Sequence, residues 1–354
     1  MERSQSTGEE IKAVRNERGG VRPMCKDAAI ADKLACLSAT GSAIFRNVFT
    51  TQICDALIAD AKKIYAVLIG DKEPKRGGNT AHFDSVAAQP LRGFRDFGVN
   101  VIAKFTETAP YAAFEELFGP RVAFPLQQCI FRYQRPDHQQ SFLSYHQDAT
   151  HSKVECRVIN CWISLTAAGL DAPGVEVLDV PVHDLHPDLY SFGNDYFEKQ
   201  RLAPDKVKAQ LALDSKVKAR FGNPTSTIPI FAPGDAIMFD HFAMHRTHFT
   251  PEMTQNRMSL EIRACDPVLF DKWYGNFDRV VVERSGTKRR LSLMVHEREW
   301  PIDNIATYHQ LPQPISFPLH SFRLRRAMSR IKRRVAASIV GEQHSAGQPK
   351  GQLS

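Results

Sequence analysis

The chain lacks the features that mark several large classes of protein. No two of its seven cysteines form a CxxC pair, and they are scattered over positions 25, 36, 54, 129, 156, 161 and 265. This pattern indicates reduced thiols in a cytoplasmic protein and argues against a disulfide framework or a zinc cage. The hydrophobic runs are too short to cross a bilayer. The N-terminal segment is polar and has no apolar stretch, so we predict no secretory signal.

Nucleotide-binding signatures are absent as well. The chain has no GxGxxG or Walker motif and no visible alternation of parallel βαβ units. The net charge is +7, but seven positive charges lie between Arg323 and Arg334 with no acidic residue among them. The rest of the chain is therefore close to neutral, and we expect no nucleic-acid partner.

The basic segment has the pattern of an amphipathic helix. Within residues 319–340, apolar residues recur at helical spacing opposite the arginines and lysines, at Leu324, Met328, Ile331, Val335 and Ile339. Such a helix can bind an acidic partner or an anionic membrane surface. The alternative is a helix that docks on the protein's own surface with its charges in solvent.

The 354 residues, 43% hydrophobic and 24% charged, suffice for one large domain with insertions. We predict a disordered segment at 1–28 and a domain at 29–310 that begins with helices. A helical insertion is expected near 189–222, and the basic helix with a disordered tail occupies 311–354.

Two stretches near the start of the domain have helical signals. A short strand within residues 43–49 precedes a helix capped by Thr50 or Thr51, with apolar residues at helical spacing. Residues 94–118 are also predicted to be helical, with a break at Pro110.

The centre of the chain is rich in predicted strands. Residues 122–134 form one candidate, and residues 158–165 alternate between apolar and polar positions. Residues 236–243 follow a Pro-Gly-Asp turn, and in the last strand Arg257, Ser259, Glu261 and Arg263 share one face. Strands with one apolar and one polar face predict a mainly β fold with flanking helices, a barrel or double-sheet roll that encloses a polar site.

Three H-x-D patterns occur, and their context separates them. The pattern at 82–84 lies in a loop-like segment, and the one at 186–188 has prolines on either side of the histidine. His146 and Asp148 follow a predicted strand and a short polar loop. Two residues apart on an extended segment, both side chains point to the same face, as two ligands of one metal require.

The second histidine ligand is expected near the end of the strand that follows Gly234-Asp235. His245 lies at that end, His248 is a competitor, and His241 falls within the strand. Two imidazoles and one carboxylate are the donors of a non-haem Fe(II) site, and they leave positions for a co-substrate and O₂. Arg257, a short distance beyond, can clamp the far carboxylate of an oxo-acid co-substrate.

Taken in order, these motifs resemble the phytanoyl-CoA dioxygenase family of Fe(II)/2-oxoglutarate-dependent oxygenases. The resemblance covers roughly residues 41–265 and rests on His146 and Asp148, the stretches 160–165, 174–177 and 234–235, His245, and Arg257-Met258-Ser259. One departure is visible, since Asp179-Val180-Pro181-Val182-His183 stands where family members often have Pro-Gly-Ser-His. That stretch usually shapes the substrate side.

The resemblance implies a double-stranded β-helix, a cupin-like jelly roll, with helices packed outside. The implied metal ligands are His146, Asp148 and His245, while Arg257 and Ser259 would hold the C5 carboxylate of 2-oxoglutarate. The implied reaction uses Fe(II), 2-oxoglutarate and O₂ to hydroxylate a small molecule, either amino-acid-like or a natural-product intermediate, with release of succinate and CO₂. The alternatives are a non-catalytic metal-binding jelly-roll protein and a zinc hydrolase.

Polar residues on strands that edge the site are candidates for the substrate pocket. They are Gln128, Arg132, Asn160, Trp162 and Ser164. Arg263 has the same strand parity as Arg257 and is its rival for the co-substrate carboxylate.

Overall fold

The structure is a computed structural model of the 354-residue chain. It describes residues 14–15, 21–22, 30–69, 89–91, 95–136, 142–151, 156–186, 214–274, 278–295 and 298–302. The sequence predictions for 70–88, 187–213 and 303–354 therefore lie outside the described residues.

The described helices lie mostly before the sheets in the chain. They are α1 (Ile30–Thr40), α2 (Thr51–Ile69), α3 (Arg95–Phe105), α4 (Ala109–Phe118), α5 (residues 214–220) and α6 (Pro267–Tyr274). Thr50 caps α2, because its hydroxyl accepts the Ile53 N–H at 3.3 Å. None of these helices is both long and apolar enough to span a membrane.

The strands are β1 (Val14–Arg15), β2 (Val21–Arg22), β3 (Ser42–Phe45), β4 (Gln89–Pro90), β5 (Arg121–Pro125), β6 (Ile130–Gln134), β7 (Val158–Ser164), β8 (Gly174–Leu178), β9 (Ser226–Thr227), β10 (Ala236–Asp240), β11 (His245–His248), β12 (Arg257–Cys265), β13 (Arg279–Ser285), β14 (Lys288–Val295) and β15 (Arg298–Pro301). All described pairings are antiparallel.

Two antiparallel sheets form the jelly-roll core that the sequence predicted. The major sheet runs β15-β14-β13-β5-β12-β7-β10-β3, with β6 paired to β12 and β4 to β6. The minor sheet runs β11-β8-β9. Strand β12 is the centre of the major sheet, because it pairs with β7 along one side and with β6 and β5 along the other.

An apolar cluster joins the two sheets. Trp162 of β7 and Phe239 of β10 pack with Val175 and Val177 of β8, and Phe231 completes the group. Each of these side chains is at most 4% exposed. Removing that much apolar surface from water is the main force that holds one sheet over the other.

The helices cover the outer face of the major sheet through aromatic residues. Phe105 of α3 and Phe114 of α4 pack around Phe124 of β5 with ring centroids 5.6–6.1 Å apart, and Tyr111 joins them. Edge-to-face and tilted contacts of this kind suit the ring quadrupoles. This second core lies on the face of the major sheet opposite to the cluster around Trp162.

A tight corner before β10 fixes where that strand begins. Gly234 has φ +89°, and a Cβ there would lie 1.8 Å from the Phe49 carbonyl oxygen, so only glycine fits. The Asp235 carboxylate accepts the N–H groups of Asn47 and Ala232 at 3.0 and 2.9 Å and pairs with Arg46 at 2.6 Å. The Gly-Asp motif is thus a structural corner.

Several predicted elements have different bounds in the structure. The strand expected at 122–134 is two strands, β5 and β6, separated by a turn that begins at Leu126. The helix expected at 94–118 breaks at residues 106–108 and not at Pro110, which lies in the first turn of α4, where proline's missing N–H costs nothing. The strand expected at 236–243 ends at Asp240.

In the segment predicted to be disordered, 1–28, the described pairs 14–15 and 21–22 form a small antiparallel pairing. The helical part of the expected insertion is described only as α5.

Candidate metal centre

Three side chains converge at the open edge between the two sheets. One ligand atom from each of His146, Asp148 and His245 lies within 4.8 Å of the others. His146 and His245 face each other across an isolated antiparallel bridge, with backbone N–H···O distances of 2.9 and 3.1 Å in both directions. Asp148 begins a short 3₁₀ helix directly after the bridge.

Both imidazoles are oriented in the same way. The Nδ1 of His146 lies 2.9 Å from the Ser144 carbonyl oxygen, and the Nδ1 of His245 lies 3.0 Å from that of Ala243. A carbonyl only accepts, so each Nδ1 carries the proton and donates it. In the neutral imidazole the lone pair then lies on Nε2, the atom that would bind a metal.

Gln147, between the two proximal ligands, points away from the site. Its amide donates to the carbonyls of Asp184 and Phe242 at 2.9 and 2.6 Å and accepts the His186 N–H at 3.0 Å. These bonds tie the ligand segment to two other parts of the chain.

Asp148 is a buried, ionised carboxylate. Its Oδ2 accepts from Arg263 Nε at 3.1 Å, Arg263 Nη2 at 2.8 Å and Asn160 Nδ2 at 3.1 Å, while Oδ1 lies 3.9 Å from His245 Nε2. Burial raises the pKa of Asp148, but the guanidinium of Arg263 outweighs it, with a further contribution from the two ligand imidazoles when they are protonated, and holds that pKa well below its usual range. Two neutral imidazoles and a carboxylate suit a divalent metal such as Fe(II).

The competing histidines lie elsewhere. His248 Nδ1 is 3.8 Å from Glu176 Oε2, across the pairing of β11 with β8. His241 accepts the Val158 N–H at 2.7 Å through Nδ1, so that nitrogen is bonded to the backbone of β7. Of the three distal histidines, His245 is the one that meets His146 and Asp148.

Arg257 is a buried cation in the same cavity as the triad histidines. Its side chain donates to the Gly174 carbonyl at 3.0 Å and lies over the Trp162 ring at 5.1 Å. Within the described part of the chain no carboxylate forms an ion pair with it, and its Nε has no hydrogen-bond partner there. Burial and the nearby Arg132 lower the pKa of Arg257 to about 9, so it stays charged near neutral pH.

The cavity has a volume of about 380 Å³, counting the part open to solvent. Of the predicted pocket residues, Arg132, Asn160 and Trp162 line it, together with the two histidine ligands, Arg257, Glu261 and Arg263. Gln128 and Ser164 do not line it. Gln128 lends its carbonyl to Arg263 at 2.6 Å, and the Ser164 hydroxyl turns to the Thr166 carbonyl at 2.7 Å.

Ser259 has no assigned partner either. Its hydroxyl is buried on the same face of β12 as Arg257 and forms no hydrogen bond with the described residues. Ser259 does not itself line the cavity, so its role toward the co-substrate stays a prediction.

No family model matches the chain, and no curated protein matches it. Solved structures do match. SnoN, the non-haem α-ketoglutarate-dependent epimerase from nogalamycin biosynthesis, is 13% identical over 73% of this chain and 84% of its own, with a TM-score of 0.45. AviO1 from Streptomyces viridochromogenes Tue57 is 16% identical over 68% and 97%, with a TM-score of 0.46.

EctD from S. alaskensis, solved with bound Fe, is 15% identical over 69% of this chain and 80% of its own, with a TM-score of 0.44. At these identities and TM-scores the function has to be inferred from this chain's own residues.

Sequence reasoning missed the roles of two residues at the site and one cluster behind it. Glu261 binds Arg132 and lies 3.0 Å from Arg263, and Gln147 anchors the ligand segment. Behind the site, Glu176 of β8 binds Tyr145, Ser226 and Arg246. A charged residue within an otherwise largely apolar stretch of strand was the available signal for both glutamates.

Proposed function

We propose that the chain is an Fe(II)/2-oxoglutarate-dependent oxygenase of the kind found in the phytanoyl-CoA dioxygenase family, and that it hydroxylates a small molecule. The observation that carries this proposal is a buried arginine that pairs with no carboxylate of the described residues and lines the same cavity as the two histidines of a His-Asp-His cluster. The His-Asp-His cluster suits a metal and the buried arginine suits an anion, so a ligand that uses both has to bind the metal and carry a negative charge. 2-Oxoglutarate, a dianion with metal-binding oxygens at one end, has this chemistry.

His146, Asp148 and His245 would hold the metal through Nε2, a carboxylate oxygen and Nε2. When bound, Fe(II) with 2-oxoglutarate and O₂ supplies the oxidising chemistry that inserts oxygen into a C–H bond and releases succinate and CO₂. The protein's part is to fix the ligands and keep one face of the metal open.

Arg257 would receive the C5 carboxylate of the co-substrate. Its guanidinium is already desolvated and lies over the Trp162 ring, 5.1 Å from the centroid, so little freedom is lost when the carboxylate binds. The hydroxyl of Ser259 would add one donor. A charge-assisted pair then replaces the unpaired buried charge, which favours binding over the free state.

Hydroxylation, desaturation or ring closure is the reaction type that the ligands favour over halogenation. In related halogenases a halide takes the place of the metal carboxylate, and here Asp148 occupies that place. The substrate we propose is amino-acid-like or a natural-product intermediate, and it would enter past Arg132 and the open part of the cavity.

The test is incubation of the Fe(II)-loaded protein with 2-oxoglutarate, air and a metabolite extract, read by mass spectrometry. We expect a metabolite to gain the mass of one oxygen only when 2-oxoglutarate is present, and the D148A variant to form none. A protein that binds iron and 2-oxoglutarate tightly but yields no succinate in any extract would be the non-catalytic metal-binding protein.

A further inference from the structure

The two oxygens of the Asp148 carboxylate have different surroundings. Oδ2 accepts three N–H groups, two from Arg263 and one from Asn160, at 2.8–3.1 Å. Oδ1 faces His245 Nε2 at 3.9 Å and forms no hydrogen bond among the described residues. Oδ2 is thus engaged by hydrogen bonds within the protein, and Oδ1 faces the histidine ligand His245.

Arg263 is held rigidly in this role. Nε and Nη2 both donate to the same oxygen, and Nη1 donates to the Gln128 carbonyl at 2.6 Å. Nη2 also lies 3.0 Å from Glu261 Oε2, and Glu261 in turn binds Arg132. The side chains alternate in charge from Arg132 through Glu261 and Arg263 to Asp148, so each buried charge has an opposite neighbour.

The register of the sheet places this arrangement. Arg263 of β12 is directly opposite Asn160 of β7, so both donors project from neighbouring strands onto the segment that starts at Asp148. Arg257, six residues earlier on the same face, is too far along the strand to take part.

We propose that Arg263 is a positioning residue that restricts Asp148 to one metal-binding oxygen, Oδ1. This inference rests on the proposed function. A carboxylate that is free to rotate can bind a metal through both oxygens and occupy one more position. With Oδ2 engaged, three positions stay open, enough for a chelating oxo acid and O₂. Loss of Arg263 would therefore weaken binding of the co-substrate more than binding of the metal.

The test compares R263Q with wild-type protein loaded with Mn(II), so that turnover is not needed. Calorimetry gives the Kd for Mn(II) and then for 2-oxoglutarate on the Mn(II)-loaded protein, and water-proton relaxation reports the exchangeable positions on Mn(II). We expect R263Q to weaken 2-oxoglutarate binding about 10- to 100-fold and to lower the relaxation enhancement. The Mn(II) affinity should change less.

The matched control is R95Q, which removes another buried arginine–aspartate pair, Arg95 with Asp278 at 2.7 Å, outside the cavity lining. R95Q should lower the melting temperature but leave both binding constants and the relaxation unchanged. If R263Q does not fold, R263K serves, because one ammonium cannot reproduce the paired donors and should give a smaller shift in the same direction.

Unchanged 2-oxoglutarate affinity and relaxation in a folded Arg263 variant would overturn the proposal. A Mn(II) affinity that falls as much as the 2-oxoglutarate affinity would also overturn it, because Arg263 would then serve the metal ligand generally. Wild-type protein that binds Mn(II) but no 2-oxoglutarate would instead refute the proposed function.

Discussion

His245 and His248 differ in their surroundings because they lie three residues apart on one strand. Side chains alternate between the faces of a strand, so an odd spacing sends the two imidazoles to opposite sides. His245 meets Asp148, while His248 meets Glu176. The sequence could name both histidines as candidates, but the choice depends on which face of β11 looks toward His146.

This difference gives the first prediction. H245A should lose Mn(II) affinity by more than the roughly 10- to 100-fold that changes to outer residues of metal sites cost. H146A and D148A should behave in the same way. H248A is the control, and its Mn(II) affinity should stay within about twofold of wild type by calorimetry. A variant pair in which H248A loses the metal and H245A keeps it would show that the distal ligand is misassigned.

Replacement of Arg257 should affect stability and 2-oxoglutarate binding in opposite directions. A buried, unpaired charge costs stability, so R257M should melt at the same temperature as wild type or higher in the absence of metal. Loss of a charge-assisted bidentate contact of about 1.5–3 kcal/mol should at the same time weaken 2-oxoglutarate binding by on the order of tenfold to a hundredfold. Scanning calorimetry and a 2-oxoglutarate titration of the Mn(II)-loaded protein measure the two effects.

R263M is the comparison for this variant, because Arg263 has carboxylate partners and its loss should lower the melting temperature. If R257M binds 2-oxoglutarate as wild type does, Arg257 is not the carboxylate clamp.

Strand parity could predict that Arg257, Ser259, Glu261 and Arg263 share one face, and the structure places all four side chains inside. It could not assign their partners. Those depend on the register of β12 against β7 and β6, which brings Arg263 opposite Asn160 and Arg257 opposite Gln134. Register is set by long-range pairing that one strand's pattern does not contain.

At the level of elements, periodicity located α2, β7 and β12 well, and it missed α1 and the strands β13–β15. The charge of these strands explains why the sequence pattern did not reveal them. β14 begins Lys288-Arg289-Arg290 and has few fully buried positions, so its charged residues obscure the alternation. The pairing of β13 with β5 brings it into the sheet.

The minor sheet depends on a buried charge cluster around Glu176. Its carboxylate accepts hydrogen bonds from Ser226 Oγ at 2.7 Å and Arg246 Nε at 2.7 Å and another from Tyr145, and Arg246 also binds Asp214 at 2.5 Å. Burial opposes ionisation, but His248, Arg246 and Tyr145 together hold the pKa of Glu176 below its ordinary value of 4.5. The cluster joins β8, the histidine strand β11 and the start of α5.

E176Q should therefore lower the free energy of unfolding by about 3 kcal/mol near neutral pH, because Arg246 loses a buried partner. A carboxyl group whose pKa is lower in the folded than in the unfolded state stabilises the fold at pH values above the unfolded-state pKa. This stabilisation is lost as the pH falls below that value. The difference between wild type and E176Q, from urea unfolding, should thus be constant above about pH 6 and shrink below pH 4.5. A difference that grows on acidification would contradict the ionised assignment.

On the scale of the whole molecule, the cavity lies between the two sheets, where an apolar region and a charged region meet. Apolar residues join the sheets at Trp162 and Phe231, and charged residues fill the open edge. Composition and strand patterning could predict this division into an apolar and a polar face. They could not predict the cavity's shape, which depends on how the sheets pack.

The basic C-terminal segment gives a prediction at this scale. The segment lies outside the described residues, whereas every described site residue belongs to the compact unit Met1–Tyr308. We expect truncation after Pro318 to leave Mn(II) binding and 2-oxoglutarate binding within about twofold of the full chain, as for a change distant from the site. A soluble, folded truncation that loses both would place the segment in the active domain. Binding of the full chain, but not of the truncation, to anionic vesicles would identify a membrane surface as its partner.

We propose that this chain couples a His146–Asp148–His245 metal site to 2-oxoglutarate oxidation. The decisive measurement is succinate formation from 2-oxoglutarate, followed by chromatography in the presence of air and without added substrate. We expect slow succinate formation that requires Fe(II), stops in H245A and persists in H248A. Wild-type protein that holds stoichiometric Fe(II) yet forms no succinate, or succinate formation that H245A retains in full, would contradict it.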